Sequence, residues 1–183
     1  MSFTPVKTSQ SSPLQIAELH CKPGNGCLGL TLCPGKKDTA RRWDRDLQTD
    51  IVAIRNWGAS TIVTLIENHE FRLLGIEELP SEVTAQGMNW VHLPIRDVDV
   101  PDDRFGRLWP TLSTDIHRRL DAGERLLIHC RGGLGRTGLL AALILVERGC
   151  QPRDAINRVR AARPNAIETE AQEAFVLRSN ACR

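Results

Sequence analysis

The sequence predicts a single α/β domain with a central, largely parallel sheet flanked by helices. Its 183 residues are enough for one domain with a sizeable core, and 41% hydrophobic and 25% charged residues are ordinary for a globular protein. Short apolar runs rich in β-branched residues alternate with longer segments whose apolar residues recur at helical spacing. This alternation is typical of parallel strands joined by helices. We find no internal repeat and no sign of a second domain.

Four predicted strands are short and apolar, and each ends at a turn or a loop. Pro34 and Gly35 follow the first strand, and Pro94 follows the third. The fourth leads directly into a glycine-rich loop. The strands are predicted over residues 27–31, 61–66, 89–93 and 125–129.

Seven helices are predicted from apolar residues at helical spacing. Gly58 suits a C-terminal cap for the first, Pro152 suits the first turn of the sixth, and Thr169 begins the seventh. Pro110 lies inside the fourth pattern, so that helix must either kink there or begin there. The helices are predicted over residues 39–57, 69–74, 81–86, 105–121, 139–146 and 152–163, and from residue 169 onward.

The termini and the overall charge limit the function classes. Residues 1–20 are expected to form a loosely ordered N-terminal tail and residues 21–183 the folded domain, and the first 13 residues lack the apolar core of a signal peptide. A net charge of +2 is too weak to indicate a nucleic-acid or membrane partner. No apolar run approaches the roughly 18–20 residues that span a bilayer. We therefore expect a cytoplasmic protein with neither kind of partner.

The six cysteines are interpreted as free thiols, because a core of this size does not need disulfides and no export signal is found. Cys21, Cys27 and Cys33 recur at a spacing of six beside His20, which raises the alternative of a zinc site. Structural zinc sites usually separate paired ligands by two to four residues. No metal and no cofactor are therefore predicted.

The clearest chemical signal lies in residues 126–138. An apolar strand leads to Cys130, a turn rich in glycine follows, and Arg136 opens an apolar helix. Glycines let the backbone curl, and N–H groups ahead of a helix N-terminus make a nest for a tetrahedral anion. We interpret this stretch as a phosphate-binding loop that carries its own nucleophile. The predicted phosphate-binding residues are Arg131, Gly132, Gly133, Leu134, Gly135 and Arg136.

Four side chains at this loop receive predicted roles. Cys130 is the nucleophile, because amide donors and a nearby arginine favour the thiolate. The planar fork of Arg136 suits two phosphate oxygens. Thr137 is expected to donate its hydroxyl to the sulfur of Cys130. His129 is expected to order the loop through a hydrogen bond, and the alternative is an ordinary buried histidine at a strand end; both interpretations can hold together.

Transfer of phosphate from an alcohol also needs an acid that protonates the leaving oxygen. The loop over residues 94–103 offers four carboxylates. It follows the strand at 89–93, so it emerges at the same edge of the sheet as Cys130 if the strands are parallel. Spacing alone does not choose among Asp97, Asp99, Asp102 and Asp103.

Residues 129–138 resemble the signature of the cysteine-dependent protein tyrosine and dual-specificity phosphatases. The fuller pattern is similar to the cyclin-dependent-kinase-associated phosphatase group and its bacterial relatives, over about residues 27–177. The matching segments are residues 28–31 with 34–35, 94–97 with 101–102, and 166–169 with Gln172. This resemblance implies a dual-specificity phosphatase-like fold.

The resemblance also implies two site residues. Asp97 would be the general acid, with Asp99 and Asp102 as alternatives. Gln172 would position the hydrolytic water. The pair Thr169 and Gln172 is also a capping-box pattern, which gives Gln172 an alternative role at the start of a helix.

The expected function is hydrolysis of phosphotyrosine in a phosphorylated protein through a phosphocysteine on Cys130, with phosphoserine and phosphothreonine left open. The nearest alternative is a phosphoinositide phosphatase, but such relatives place lysines in the signature loop, and none lies between Cys130 and Arg136. A rhodanese-like sulfurtransferase and a non-catalytic phosphoprotein-binding module are more distant alternatives.

Overall fold

A computed structural model describes residues 5–21 and 26–180 of the chain. Its main sheet has five strands in the order β1-β2-β7-β5-β6. β1 is antiparallel to β2, and the other neighbouring pairs are parallel. The predicted α/β class with a largely parallel sheet is therefore confirmed. The strands are β1 (Ala17–His20), β2 (Cys27–Thr31), β3 (Lys37–Asp38), β4 (Trp43–Asp44), β5 (Ala59–Thr64), β6 (Asn89–His92) and β7 (Arg125–His129), of which β3 and β4 form a separate pair.

Seven α-helices flank this sheet within the described ranges. They are α1 (Leu47–Trp57), α2 (Asn68–Leu73), α3 (Leu79–Ala85), α4 (Asp103–Asp121), α5 (Gly135–Glu147), α6 (Pro152–Ala162) and α7 (Glu170–Arg178). Successive residues of β7 alternate between two hydrophobic clusters: Leu126 and Ile128 join one, and Leu127 joins the other. The sheet is therefore buried on both faces, as parallel sheets generally are. No described helix has both the length and the apolar character needed to cross a bilayer.

The predicted boundary between tail and domain is wrong, because ordered structure begins before residue 21. Ala17–His20 pairs with Cys27–Thr31 as an edge strand of the sheet. Further upstream, Ser9 is buried, and its hydroxyl oxygen accepts a hydrogen bond from the backbone N–H of Asp46 at 2.9 Å. The predicted tail and domain also include residues that lie outside the described part of the chain, namely 1–4, 22–25 and 181–183.

The helix predicted over residues 39–57 is wrong in its first half. A short 3-10 helix (Thr39–Arg41) and β4 occupy that region, and α1 begins only at Leu47. The carboxylate of Asp46 accepts a hydrogen bond from the N–H of Thr49 at 2.7 Å and so caps α1. Trp43 suggested an earlier start, but its ring contacts Lys36 and Lys7 instead, with their Nζ atoms 4.5 and 4.8 Å from a ring centroid.

The fourth helix begins well before its internal proline. α4 starts at Asp103, and the preceding Asp102 accepts a hydrogen bond from the N–H of Phe105 at 3.0 Å. The helix then continues through Pro110 to Asp121. The alternative that this helix begins at Pro110 is therefore wrong.

The parallel strands bring their carboxyl ends to one edge of the sheet. Cys130 directly follows β7, residues 93–102 follow β6, and residues 32–36 follow β2. Parallel α/β sheets bind ligands beyond this edge. The predicted nucleophile and the predicted acid loop therefore meet there.

Candidate active site

The predicted strand, loop and helix around Cys130 are all present. β7 ends at His129, α5 begins at Gly135, and Cys130 between them is 3% exposed. The backbone N–H of Gly133 donates a hydrogen bond to the sulfur of Cys130 at 3.2 Å. Gly133 has a φ of +71°, a conformation that glycine adopts readily and other residues rarely do. The loop therefore curls around the sulfur as the glycines predicted.

Arg136 is buried and fixed by a carboxylate that the sequence did not indicate. Its guanidinium donates to both carboxylate oxygens of Glu70 in α2, at 2.6 and 3.0 Å, and to the carbonyl of Ile95 at 3.2 Å. Burial alone would raise the pKa of the Glu70 carboxyl, but hydrogen bonds from Arg136 and from the backbone of Glu67 hold it below its usual value. Glu70 therefore stays ionised and holds the guanidinium in one orientation.

Two further carboxylates use donors of the loop. Asp97 Oδ1 lies 2.8 Å from Nη2 of Arg136. Glu168 Oε2 accepts a hydrogen bond from the backbone N–H of Gly135 at 2.7 Å. Both donors belong to residues that are predicted to bind phosphate. A bound phosphate that uses these donors would therefore displace the two carboxylates.

The candidate acids differ in whether they line a cavity of about 520 Å³ next to the loop. Cys130 and Asp97 both line it. Asp99 does not line this cavity, and its carboxylate pairs with Arg96 at 3.6 Å. Asp102 is the N-cap of α4 and lines a different cavity. Among these three aspartates, Asp97 is the one that lines the same cavity as Cys130.

His129 is fully buried within a chain of hydrogen bonds. Trp90 Nε1 donates to the hydroxyl oxygen of Thr64 at 2.9 Å, and this oxygen lies 2.8 Å from Nε2 of His129. Because the indole can only donate, the hydroxyl proton of Thr64 is free to point toward Nε2. Nδ1 of His129 then carries the proton and faces the carbonyl of Cys130 at 3.4 Å. This geometry favours both interpretations of His129, a satisfied core residue and a support for the loop.

We expect His129 to make the protein acid-sensitive. Burial lowers the pKa of His129 to about 4, from an ordinary value of 6.5, so the folded state binds this proton less readily than the unfolded chain. The resulting stability is fully present above pH 6.5 and is lost as the pH falls towards 4. Between pH 7.5 and pH 5, the free energy of unfolding should fall by about 2 kcal/mol through this residue.

Urea denaturation of wild type and His129→Asn at both pH values measures this contribution. The variant should be less stable at pH 7.5, because it loses hydrogen bonds, but it should lose about 2 kcal/mol less on acidification. Equal pH dependence in the two proteins would contradict a neutral, buried His129.

The side chains of Thr137 and Arg131 differ from expectation. Thr137 is fully buried, and its hydroxyl has no hydrogen-bond partner among the described residues, so the predicted bond to the sulfur of Cys130 is not formed. The guanidinium of Arg131 donates to Asp38 at 2.8 Å instead of turning into the loop. Any contribution of Arg131 to phosphate binding would therefore come from its backbone N–H.

Gln172 forms the capping box that its spacing predicted. The hydroxyl of Thr169 accepts from the N–H of Gln172 at 3.1 Å, and Gln172 Oε1 accepts in return from the N–H of Thr169 at 3.3 Å. Its Nε2 also donates to the carbonyl of Asp99 at 3.1 Å, which ties α7 to the acid loop. The capping alternative is confirmed, and the catalytic role stays a prediction.

The cysteines do not gather into the zinc site that their spacing raised. In the described part of the chain, the group of potential ligands whose atoms come within 4.8 Å of one another is Glu18, His20 and Cys27, without Cys21 or Cys33. Glu18 already accepts from the indole of Trp57 at 2.7 Å.

Sequence reasoning missed several side chains at this site: Lys36, Asp38, Glu70 and Glu168. None belongs to the signature loop, and three of them come from segments that meet it only in the folded chain. Glu168 differs from the other three because it lies within residues 166–169, which matched the phosphatase pattern, although no role was predicted for it. A single sequence offers no signal that would pair Glu70 with Arg136.

Comparison with known proteins settles the family. The family described as "Swiss Army Knife protein, DSP-PTPase phosphatase domain" matches residues 44–176. The chain belongs to this dual-specificity and tyrosine phosphatase family. It is accordingly an enzyme of the protein tyrosine/dual-specificity phosphatase class, and the family implies phosphoprotein substrates.

Individual relatives agree with this assignment. Cyclin-dependent kinase inhibitor 3 of Mus musculus is 31% identical over 172 residues, which cover 92% of this chain and 79% of the relative. Among solved structures, kinase associated phosphatase with its catalytic site cysteine substituted by serine is 28% identical, with a TM-score of 0.80, covering 90% of this chain and 93% of that one. Tk-PTP in its active form is 25% identical, with a TM-score of 0.66 and coverage of 88% and 93%. The predicted similarity to the kinase-associated phosphatase group is confirmed.

Proposed function

We propose that this phosphatase hydrolyses phosphotyrosine in proteins through a phosphocysteine intermediate on Cys130, with Asp97 as general acid. The observation that carries this proposal is that Cys130 and Asp97 line one cavity and that Arg136 contacts Asp97. Cys130 accepts an amide hydrogen bond at 3.2 Å, Arg136 is fixed by Glu70, and Asp97 lies 2.8 Å from Arg136. These contacts support the assignment of nucleophile, phosphate ligand and acid to one site.

The first step forms the covalent intermediate. The thiolate of Cys130 attacks phosphorus, the bond from phosphorus to the leaving oxygen breaks, and Asp97 gives that oxygen its proton. The N–H groups of the loop and the guanidinium of Arg136 stabilise the charge spread over the other three oxygens.

The second step regenerates the enzyme. Asp97, now a carboxylate, takes a proton from the water that attacks the phosphocysteine. The bond between phosphorus and sulfur breaks, which releases phosphate and restores the thiolate. Asp97 ends the cycle protonated, and no other proton donor is required.

The substrate class is tested by rates on matched substrates. We expect the highest kcat/KM on a phosphotyrosine peptide, compared with phosphoserine and phosphothreonine peptides of the same sequence and a soluble phosphoinositide headgroup. Cys130→Ser serves as the background for each substrate. A higher rate on the headgroup than on every phosphopeptide would contradict the proposal.

The role of Asp97 is tested by the leaving group. Asp97→Ala should slow hydrolysis of phenyl or alkyl phosphates by about 10²–10⁴-fold, because their oxygens need a proton to depart. It should slow para-nitrophenyl phosphate much less, since nitrophenolate leaves without one. Asp99→Ala is the matched control, and the assignment would be wrong if this variant, or Asp102→Ala, showed the selective loss instead.

A further inference from the structure

The proposed mechanism leaves one buried ammonium group without a role. Lys36 follows β2, is 4% exposed, and lines the same cavity as Cys130. Its Nζ donates to the carbonyl of Arg131 at 3.2 Å and lies 4.5 Å from the ring centroid of Trp43. Among the described residues, no carboxylate lies within ion-pair distance of it. Buried lysines are rare unless they are paired with an anion, so this group lacks the partner that its burial calls for.

The wall around Lys36 carries more positive than negative charge. Arg41 and Arg131 share one carboxylate, Asp38, at 3.2 and 2.8 Å. The other charged groups of the cavity are already engaged: Asp97 by Arg136, Glu168 by an N–H group, and Arg45 by Asp50, while Arg163 donates to loop carbonyls. Lys36, Arg41 and Arg131 together exceed Asp38 by two charges. This surplus lies beside the loop that receives the reacting phosphoryl group.

We propose that Lys36, assisted by Arg41, binds a second phosphate group of a doubly phosphorylated polypeptide whose first phosphate reacts at Cys130. This inference rests on the proposed function and specifies its substrate. A second phosphate supplies the anion that Lys36 lacks, and it converts a costly buried charge into a charge-assisted hydrogen bond. The cavity of about 520 Å³ has room for more than one phosphorylated side chain.

A polypeptide fits this cavity better than a membrane lipid does. Val98 is the large hydrophobic side chain in the cavity lining that is exposed; Leu32, Trp43 and Leu134 are half-buried, and Pro13 lies at the N-terminal side. A lipid substrate would need a wider apolar rim. The remaining lining includes polar residues of the N-terminal segment, Ser12 and Gln15, which can meet the backbone of an extended peptide.

The charge of Lys36 gives the proposal a pH signature. Burial lowers the pKa of Lys36 to about 8, and Arg131 adds to this shift, although the carboxylate of Asp38 opposes it. The ammonium is therefore present below pH 8 and is lost as the pH rises through that value. The preference for the doubly phosphorylated peptide should weaken over the same range.

The test compares two peptides of one sequence, one with phosphotyrosine alone and one with a phosphoserine added nearby. We expect wild type to favour the doubly phosphorylated peptide at least tenfold in kcat/KM at pH 6.5, and to lose much of this ratio by pH 9. Lys36→Met keeps the side-chain length without the charge and should reduce the ratio to about one. Lys37→Met is the matched control and should keep the wild-type ratio, because Lys37 is exposed, pairs with Asp44 at 2.6 Å and lines a different cavity.

Other results overturn the proposal. Equal losses on both peptides in Lys36→Met would show that Lys36 only supports the loop through Arg131. Equal kcat/KM of wild type on the two peptides would contradict a second phosphate site. The proposal would also be wrong if Lys36 produced a preference for soluble inositol bisphosphate over inositol monophosphate but no preference between the two peptides. If Lys36→Met does not fold, Arg41→Gln at an exposed position must still lower the ratio. Absence of any Cys130-dependent hydrolysis of para-nitrophenyl phosphate would instead refute the proposed function.

Discussion

Cys130→Ser should lose at least about 10⁴-fold in kcat/KM on phosphotyrosine, because removing an enzyme nucleophile usually costs this much or more. A serine hydroxyl stays protonated at neutral pH and attacks phosphorus far more slowly than a thiolate. The adjacent His129 is not placed to activate a serine as a general base, because it is buried and bonded to Thr64 and the loop carbonyl. The measurement is steady-state hydrolysis of a phosphotyrosine peptide and of para-nitrophenyl phosphate.

The same variant should keep its affinity for phosphate. The N–H groups of the loop and the pair of Arg136 with Glu70 do not depend on the sulfur. Calorimetry with inorganic phosphate should therefore give a Kd within a few-fold of wild type. Normal turnover by Cys130→Ser would contradict the mechanism. Loss of phosphate binding would show that the substitution disrupts the loop.

Gly133→Ala should cost both stability and activity. A Cβ at this position would lie 2.3 Å from the carbonyl oxygen of Thr31, and the φ of +71° already disfavours alanine. We expect the free energy of unfolding to fall by at least about 2 kcal/mol. The N–H that bonds the sulfur of Cys130 would also move, and displacement by about 1 Å should lower kcat by roughly 10²-fold.

Gly132→Ala is the matched control for this prediction. It changes the adjacent glycine of the same loop, but a Cβ there would meet nothing within 4 Å. Urea denaturation should give a free energy of unfolding close to that of wild type. If the two variants behave alike, the loop does not depend on the backbone conformation of Gly133.

Local patterns predicted the parts of the fold whose signals are strong. The strand before Cys130 and the helix after Arg136 are both apolar and continuous, so their position and order were correct. β1 was missed because its four residues form an edge strand of mixed polarity. Residues 39–46 were assigned to a helix because Trp43 happens to continue the spacing of α1, whereas the ring of that tryptophan contacts Lys7 and Lys36.

The site was predictable only where its residues are adjacent in sequence. The curled loop around Cys130 was predicted from one continuous stretch of sequence. The position of residues 94–103 was predicted from the edge of the sheet at which parallel strands end. The residues alone could not select Asp97 as the candidate general acid, because Asp102 lies in the same loop. The structure shows that Asp102 is the N-cap of α4. Glu70 and Lys36 act through contacts across 66 and 95 positions of sequence, which no local pattern indicates.

The central claim is a covalent phosphoryl group on Cys130, and rapid-quench mass spectrometry tests it most directly. Wild type and Asp97→Ala are mixed with para-nitrophenyl phosphate, quenched within milliseconds, digested and analysed. We predict one added phosphoryl group on the peptide that contains Cys130, at higher occupancy in Asp97→Ala because hydrolysis of the intermediate is slowed. Turnover with no phosphoryl group on Cys130, or with one on another residue, would contradict the account.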